Sequence, residues 1–161
     1  MKNRNRYFAT SLIVFLSIGI FAVAGYLHAA ESDQGIQEGK AAIMEGAKKM
    51  MDGNKMIMDI AAKKGMKDAD FTAADKMMTD GYDMVVKGEK MMTGSTMAEG
   101  KSMVQRGSKM MLDAKKMEVA AAEKKGISQE CAAAFDTCGF GEYQIKQGAL
   151  DWFFGAAGGG W

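Results

Sequence analysis

The stretch ADKMMTDGYDMVVKGEKMM, residues 74–92, decides the fold. Ala74, Gly81 and Gly88 recur every seven residues, as do Met78, Val85 and Met92, and also Met77, Met84 and Met91. Seven residues return a side chain to nearly the same face of an α-helix, and a sustained repeat of seven marks a packed helix seam. A half-buried strand would alternate every second residue instead. This segment therefore predicts a helix whose small residues form a groove with methionine rows beside it.

Downstream, Gly100, Gly107 and Ala114 run between Met97, Val104 and Met111 on one side and Met103, Met110 and Met117 on the other. The linker Thr93-Gly94-Ser95-Thr96 joins the two segments, so they are expected to pair as a hairpin. Upstream, Ile36, Ile43, Met50 and Ile57 form a central row flanked by Gly39, Gly46, Gly53 and Ile60. There the second methionine row, Met44, Met51 and Met58, lies on the opposite flank, so the apolar face is wider and can meet two neighbours.

Punctuation sets the limits. Lys63-Lys64 before Gly65 and Lys124-Lys125 before Gly126 are cationic helix ends followed by a glycine cap. Thr72 with Asp75 and Thr96 with Glu99 read as capping boxes. Helices are expected over about 36–64, from Asp70 or Thr72 to about 92, and over about 96–125. Ser128 caps a shorter segment ending near Phe135, and 142–154 can form another helix. The phrases GAKKMM (46–51), GEKMM (88–92) and GSKMM (107–111) are variants of one another. MDIAAKKGM (58–66) is echoed by MEVAAAEKKGI (117–127), which indicates an approximate duplication of a helical hairpin. The fold class is all-α, an antiparallel helical bundle or two stacked helical hairpins.

Glycine inside a helix costs roughly 1 kcal/mol relative to alanine. Gly39, Gly46, Gly53, Gly81, Gly88, Gly100 and Gly107 together cost about 7 kcal/mol, comparable with a domain's net stability. Close approach of helix backbones is the simplest compensation, so the glycines are expected to face another helix or a second copy.

Residues 1–30 read as a signal peptide: Lys2, Arg4 and Arg6, then an apolar run from Ser11 to Val23, then small residues. The run is short for a membrane span, although an uncleaved anchor is the alternative. Export to a bacterial periplasm is expected. Without that segment 18 basic and 20 acidic residues remain, a balance that argues against nucleic acid. The organisation is then signal peptide (1–30), methionine- and glycine-rich hairpin region (31–127), and a cysteine-containing short helix with a flexible Gly/aromatic tail (128–161).

Sixteen of the seventeen methionines fall between Met44 and Met117, and Leu112 is the one leucine between residues 36 and 124. Leucine specifies a core better than methionine, so packing alone does not account for this usage. Thioether sulfur is soft and uncharged and suits Cu(I) or Ag(I). No two methionines are three or four residues apart, so one helix cannot bring two onto one ion. A site must be assembled between helices, from Met77, Met84, Met91, Met103, Met110 and Met117, with Met44, Met51 and Met58 as a second set. The competing readings are methionine as adaptable core filler, as a surface for partner helices, or as an oxidisable pool.

Cys131 and Cys138 are the only cysteines, and in an exported chain a disulfide is expected, provided the helix ends before Cys138. Trp152, Phe153 and Phe154 can cap the bundle or, with Trp161, contact a membrane or partner protein. His28 is the one histidine, and no nucleophile–base set or phosphate loop is present, so an enzyme is not expected. Two functions are carried forward: Cu(I)/Ag(I) binding or sequestration, and a structural or chaperone-like scaffold that docks a protein partner or itself.

Overall fold

The computed structural model describes residues 35–66 and 68–155, with backbone alone at 153–155. Among these residues the chain is an all-α bundle without strands. Helix α1 spans 35–63, α2 Ala69–Met91, α3 Met97–Lys125 and α4 Ala132–Gly155, with a 3₁₀ turn at Gly94–Thr96. The expected signal peptide and Trp161 lie outside the described residues.

The helices pair tightly in two antiparallel couples. In α2/α3, a Cβ built on Gly81 would sit 2.8 Å from the Gly107 carbonyl oxygen, and one on Gly88 2.7 Å from that of Gly100. In α1/α4, Gly39 meets the Gly148 carbonyl at 2.7 Å and Gly46 that of Gly141 at 2.5 Å on the same construction. At such separations only a hydrogen fits, and the Cα–H groups can contact the facing carbonyls. All seven interior glycines named from the sequence are buried at these crossings.

The couples stack through wider faces. Lys40 pairs with Glu89 at 3.1 Å, and Asn54 Nδ2 donates to Asp75 Oδ1 at 2.7 Å, tying α1 to α2. Lys115 pairs with Glu142 at 2.8 Å, and the Lys101 ammonium lies 5.1 Å from the Trp152 ring centre, tying α3 to α4. So α1 does meet two neighbours, α4 closely and α2 more widely. The residue four positions after each small residue points inward. Ile43, Met50 and Ile57, Met78, Val85 and Met92, Val104, Met111 and Glu118, and Cys138, Ile145 and Trp152 are all at most 4 % exposed.

The termini follow the glycines at Gly65 (φ 68°) and Gly126 (φ 69°), both left-handed caps. Two cap expectations are corrected. Helix α2 begins at Ala69 with Asp68 as its cap, accepting from the Asp70 amide at 2.8 Å, while the Thr72 hydroxyl bonds back to the Asp68 carbonyl. Thr96 occupies the cap position of α3, but its hydroxyl donates to the Met91 and Thr93 carbonyls at 2.6 and 2.9 Å, so no capping box forms.

The larger correction is α4. The expected short helix and separate later segment are one helix, because Ala134, Gly141 and Gly148 continue the seven-residue groove and dock on α1. The helix runs unbroken from Ala132 through Cys138, and Cys131, just before its start with its carbonyl accepting from the Phe135 amide at 2.9 Å, is left about 10 Å from Cys138 along the axis. Both thiols are free and buried, and the expected disulfide is not formed.

Candidate functional site

Residues three and four positions after a groove glycine lie on opposite sides of the seam, since 3.6 residues make a turn. With the fourth-position row facing α1 and α4, the third-position row of α2/α3 faces away from them. That outer row is Met77, Met84 and Met91 on α2 and Met103, Met110 and Met117 on α3, all half-buried. A Cβ on Gly107 would meet Met84 Cβ at 2.9 Å, one on Gly88 would meet Met103 Cβ at 2.9 Å, and one on Gly81 would meet Met110 Cβ at 3.1 Å. The methionines therefore straddle the seam from both helices.

Register brings four of the six together. Met84 lies between Gly81 and Gly88, and Met103 between Gly100 and Gly107, so both sit at one level between the two crossings. Met77 and Met110 sit at one level beyond the Gly81/Gly107 crossing. The two levels are one repeat apart, about 10.5 Å. Met91 falls opposite Thr96 and Met117 opposite Asp70, so these two lack a thioether across the seam.

The second set, Met44, Met51 and Met58, goes elsewhere. All three are half-buried and pack against the core, Met44 and Met51 on the cluster around Met50 and Met78, Met58 on the cluster around Ile57 and Phe71. Of the outer row, Met77 also touches the first cluster; among the described residues Met84, Met91, Met103, Met110 and Met117 belong to neither. Met50, Met78, Met92 and Met111 are core residues at 0–4 % exposure.

The rims of the outer row are charged and exposed. At the Gly81/Gly107 crossing the flanking residues are Asp80 and Arg106, and at the Gly88/Gly100 crossing Lys87 and Glu99. Asp80 has a local ion pair with Lys76, both well exposed.

A polar inclusion interrupts the core. Asn54, Asp75 and Glu118 each fall, along their own helices, between the two apolar clusters. Glu118 is fully buried, and neither of its oxygens has a hydrogen-bond partner. Burial, and secondarily the Asp75 carboxylate, push its carboxyl up to about 8. Burial likewise pushes the Cys138 thiol up to about 12, and its Sγ lies against Gly53 and the Met50 carbonyl, which makes it a poor nucleophile and a reluctant ligand.

Of the two expectations for Trp152 the structure matches the bundle cap and corrects the partner contact: the side chain is fully buried and closes one end of the core. Among the described residues the exposed large apolar side chains of α4 are Phe140, Tyr143 and Leu150, none of which the sequence singled out as a contact. A groove of about 440 Å³ between α3 and α4 is lined by Val104, Ser108, Leu112, Ile145 and Trp152 and contains no methionine. Among the described residues no three His, Cys, Asp or Glu side chains converge as metal ligands, and no helix is long and apolar enough to cross a membrane. The molecule is thus defined as a four-helix bundle of two glycine-seamed couples, one bearing a methionine strip on its outer side. No family model, curated protein or solved structure matches the chain.

Proposed function

We propose that this is an exported soft-metal-binding protein, which holds Cu(I) or Ag(I) through the outer thioether row of α2/α3. One comparison within the molecule carries the reading. The equivalent outer row of α1/α4 is Ala42, Lys49, Met56, Thr137, Gln144 and Asp151, which is mostly polar. A glycine seam therefore does not need methionine on its outer side, and on α2/α3 all six positions are methionine. Core filling explains Met50, Met78, Met92 and Met111 and touches Met77, but it does not explain Met84, Met91, Met103, Met110 and Met117.

The ligand pairs are Met84 with Met103 and Met77 with Met110. Two neutral thioethers suit a monovalent d¹⁰ ion that accepts low coordination, and they discriminate against Zn and Mg, which prefer harder donors. Thioethers carry no proton at any working pH, so binding needs no deprotonation, unlike thiolate sites. The buried thiols are left out of this chemistry. Export to the periplasm is carried by the basic start and apolar run of residues 1–30.

A competition titration tests the reading. The mature chain is titrated with Cu(I) against a chromogenic chelator, beside a variant with Met77, Met84, Met91, Met103, Met110 and Met117 changed to leucine. Helical content is checked by circular dichroism. The wild type should compete at least about tenfold better, ~1.4 kcal/mol, than the leucine variant. Changing Met44, Met51 and Met58 to leucine should leave competition unchanged. Equal competition by a folded six-leucine variant sinks the metal reading. The second reading, a docking strip for an apolar partner, is favoured by the strip's separation from the core and would then stand.

A further inference from the structure

The outer strip of α2/α3 has a symmetry that goes beyond single-chain binding. Residue by residue, α2 maps onto α3 by a shift of nineteen positions: Gly81 onto Gly100, Gly88 onto Gly107, Met84 onto Met103, Met91 onto Met110. The rim charges obey the same shift, Asp80 onto Glu99 and Lys87 onto Arg106. Because the helices are antiparallel, each level of the strip carries an acid on one rim and a base on the other: Asp80 faces Arg106 across one crossing, and Lys87 faces Glu99 across the next. These four side chains are exposed, and among the described residues Lys87, Glu99 and Arg106 make no ion pair.

We infer that the strip is a homodimer interface that completes the metal site, a second copy of this chain being laid face to face on α2/α3. This rests on the soft-metal reading for its metal component. A two-fold axis parallel to the helices places α2 of one copy over α3 of the other at the same level. Asp80 then meets Arg106 of the second copy, Lys87 meets Glu99 of the second copy, and the symmetric pairs repeat. Such a contact is isologous and closes at two. It also covers a half-buried apolar strip that the single chain leaves to solvent.

The same axis superimposes the thioether levels. Met84 and Met103 of one copy face Met84 and Met103 of the other, and the Met77/Met110 level does likewise. Each level then offers up to four soft donors where one chain offers two. A monovalent soft ion takes about two to four such ligands, so the dimer holds each ion more tightly. Stoichiometry distinguishes the cases: two ions per dimer, one per chain, against two per isolated chain. By linkage, Ag(I) must strengthen self-association by the factor through which the dimer prefers the ion.

The test uses the mature full-length chain, sedimentation with and without Ag(I), and charge swaps that leave every methionine in place. The wild type should dimerise at least tenfold more tightly with Ag(I), binding one ion per chain. An acid-rim variant (K87E with R106E) and a base-rim variant (D80K with E99K) should each be monomeric, and mixing them should restore a dimer containing one of each. Wild type that binds two ions per chain and stays monomeric overturns the interface and leaves the metal reading intact. Charge-swap complementation without any Ag(I) binding overturns the metal reading and leaves the interface. Dimers that persist in both variants separately overturn the geometry proposed for the contact.

Discussion

Glu118 occupies an inward position whose counterparts on every helix are apolar or sulfur-bearing, and it stands there as a carboxyl with both oxygens unpartnered. Desolvation disfavours a charge in such a place, and the Asp75 carboxylate adds to it, so the proton stays on. The sign of the pH dependence follows. Unfolded, the group releases its proton near 4.5; folded, it holds it up to about 8. Its contribution to stability is fully present below about pH 4.5 and is lost as pH rises toward 8, at a slope of up to about 1.4 kcal/mol per unit. Denaturant melts of wild type and Glu118→Gln at pH 5 and pH 8 measure this. The wild type should lose several kcal/mol relative to the variant over that interval, and parallel profiles would contradict the assignment. The position was not legible in the sequence, where Glu118 sits among Lys115, Lys116 and Glu123 and looks like another solvated charge. Only the groove register, counted four residues from Ala114, turns it inward.

At the level of the helix, the glycines make opposite demands at different sites. Gly107 faces the Gly81 carbonyl across the seam, where a Cβ would meet that oxygen at 2.5 Å, so Gly107→Ala forces the backbones apart. The helix-propensity gain of about 1 kcal/mol is then outweighed by overpacking of about 1–3 kcal/mol, and the variant should melt earlier. Gly139 is the internal control, with the Lys115 ammonium at 3.7 Å as its nearest neighbour; Gly139→Ala should stabilise by up to about 1 kcal/mol. Thermal unfolding of both variants checks the pair, and a stabilising Gly107→Ala would remove the argument for close seams. Helices α1 to α3 were legible to within a residue or two because glycine or alanine and methionine, isoleucine or valine repeat there every seven residues. Helix α4 was not. Its groove, Ala134, Gly141 and Gly148, has the same period, but Asp136-Thr137-Cys138-Gly139 looks like a break, and the paired cysteines suggested a disulfide that needs one. Tertiary docking on α1 overrides that local weakness.

For the whole molecule, the two couples use one backbone device and dress it differently. Facing rows fill a shared core; the outer row of α1/α4 is largely polar, whereas that of α2/α3 is methionine throughout. The sequence displays two methionine rows on each of α2 and α3 without saying which points inward, because rows three and four residues after a glycine are interchangeable until the second couple is placed. That placement separates core methionines from surface ones, and so separates packing from the proposed chemistry. The most direct measurement is a spectrum of carbon-13-labelled methionine methyls, assigned by substitution and titrated with Ag(I). The account predicts that Met77, Met84, Met103 and Met110 shift first and saturate, while the methyls of Met50, Met78, Met92 and Met111 stay in place. Shifts confined to the core methionines, or none at all, would contradict it.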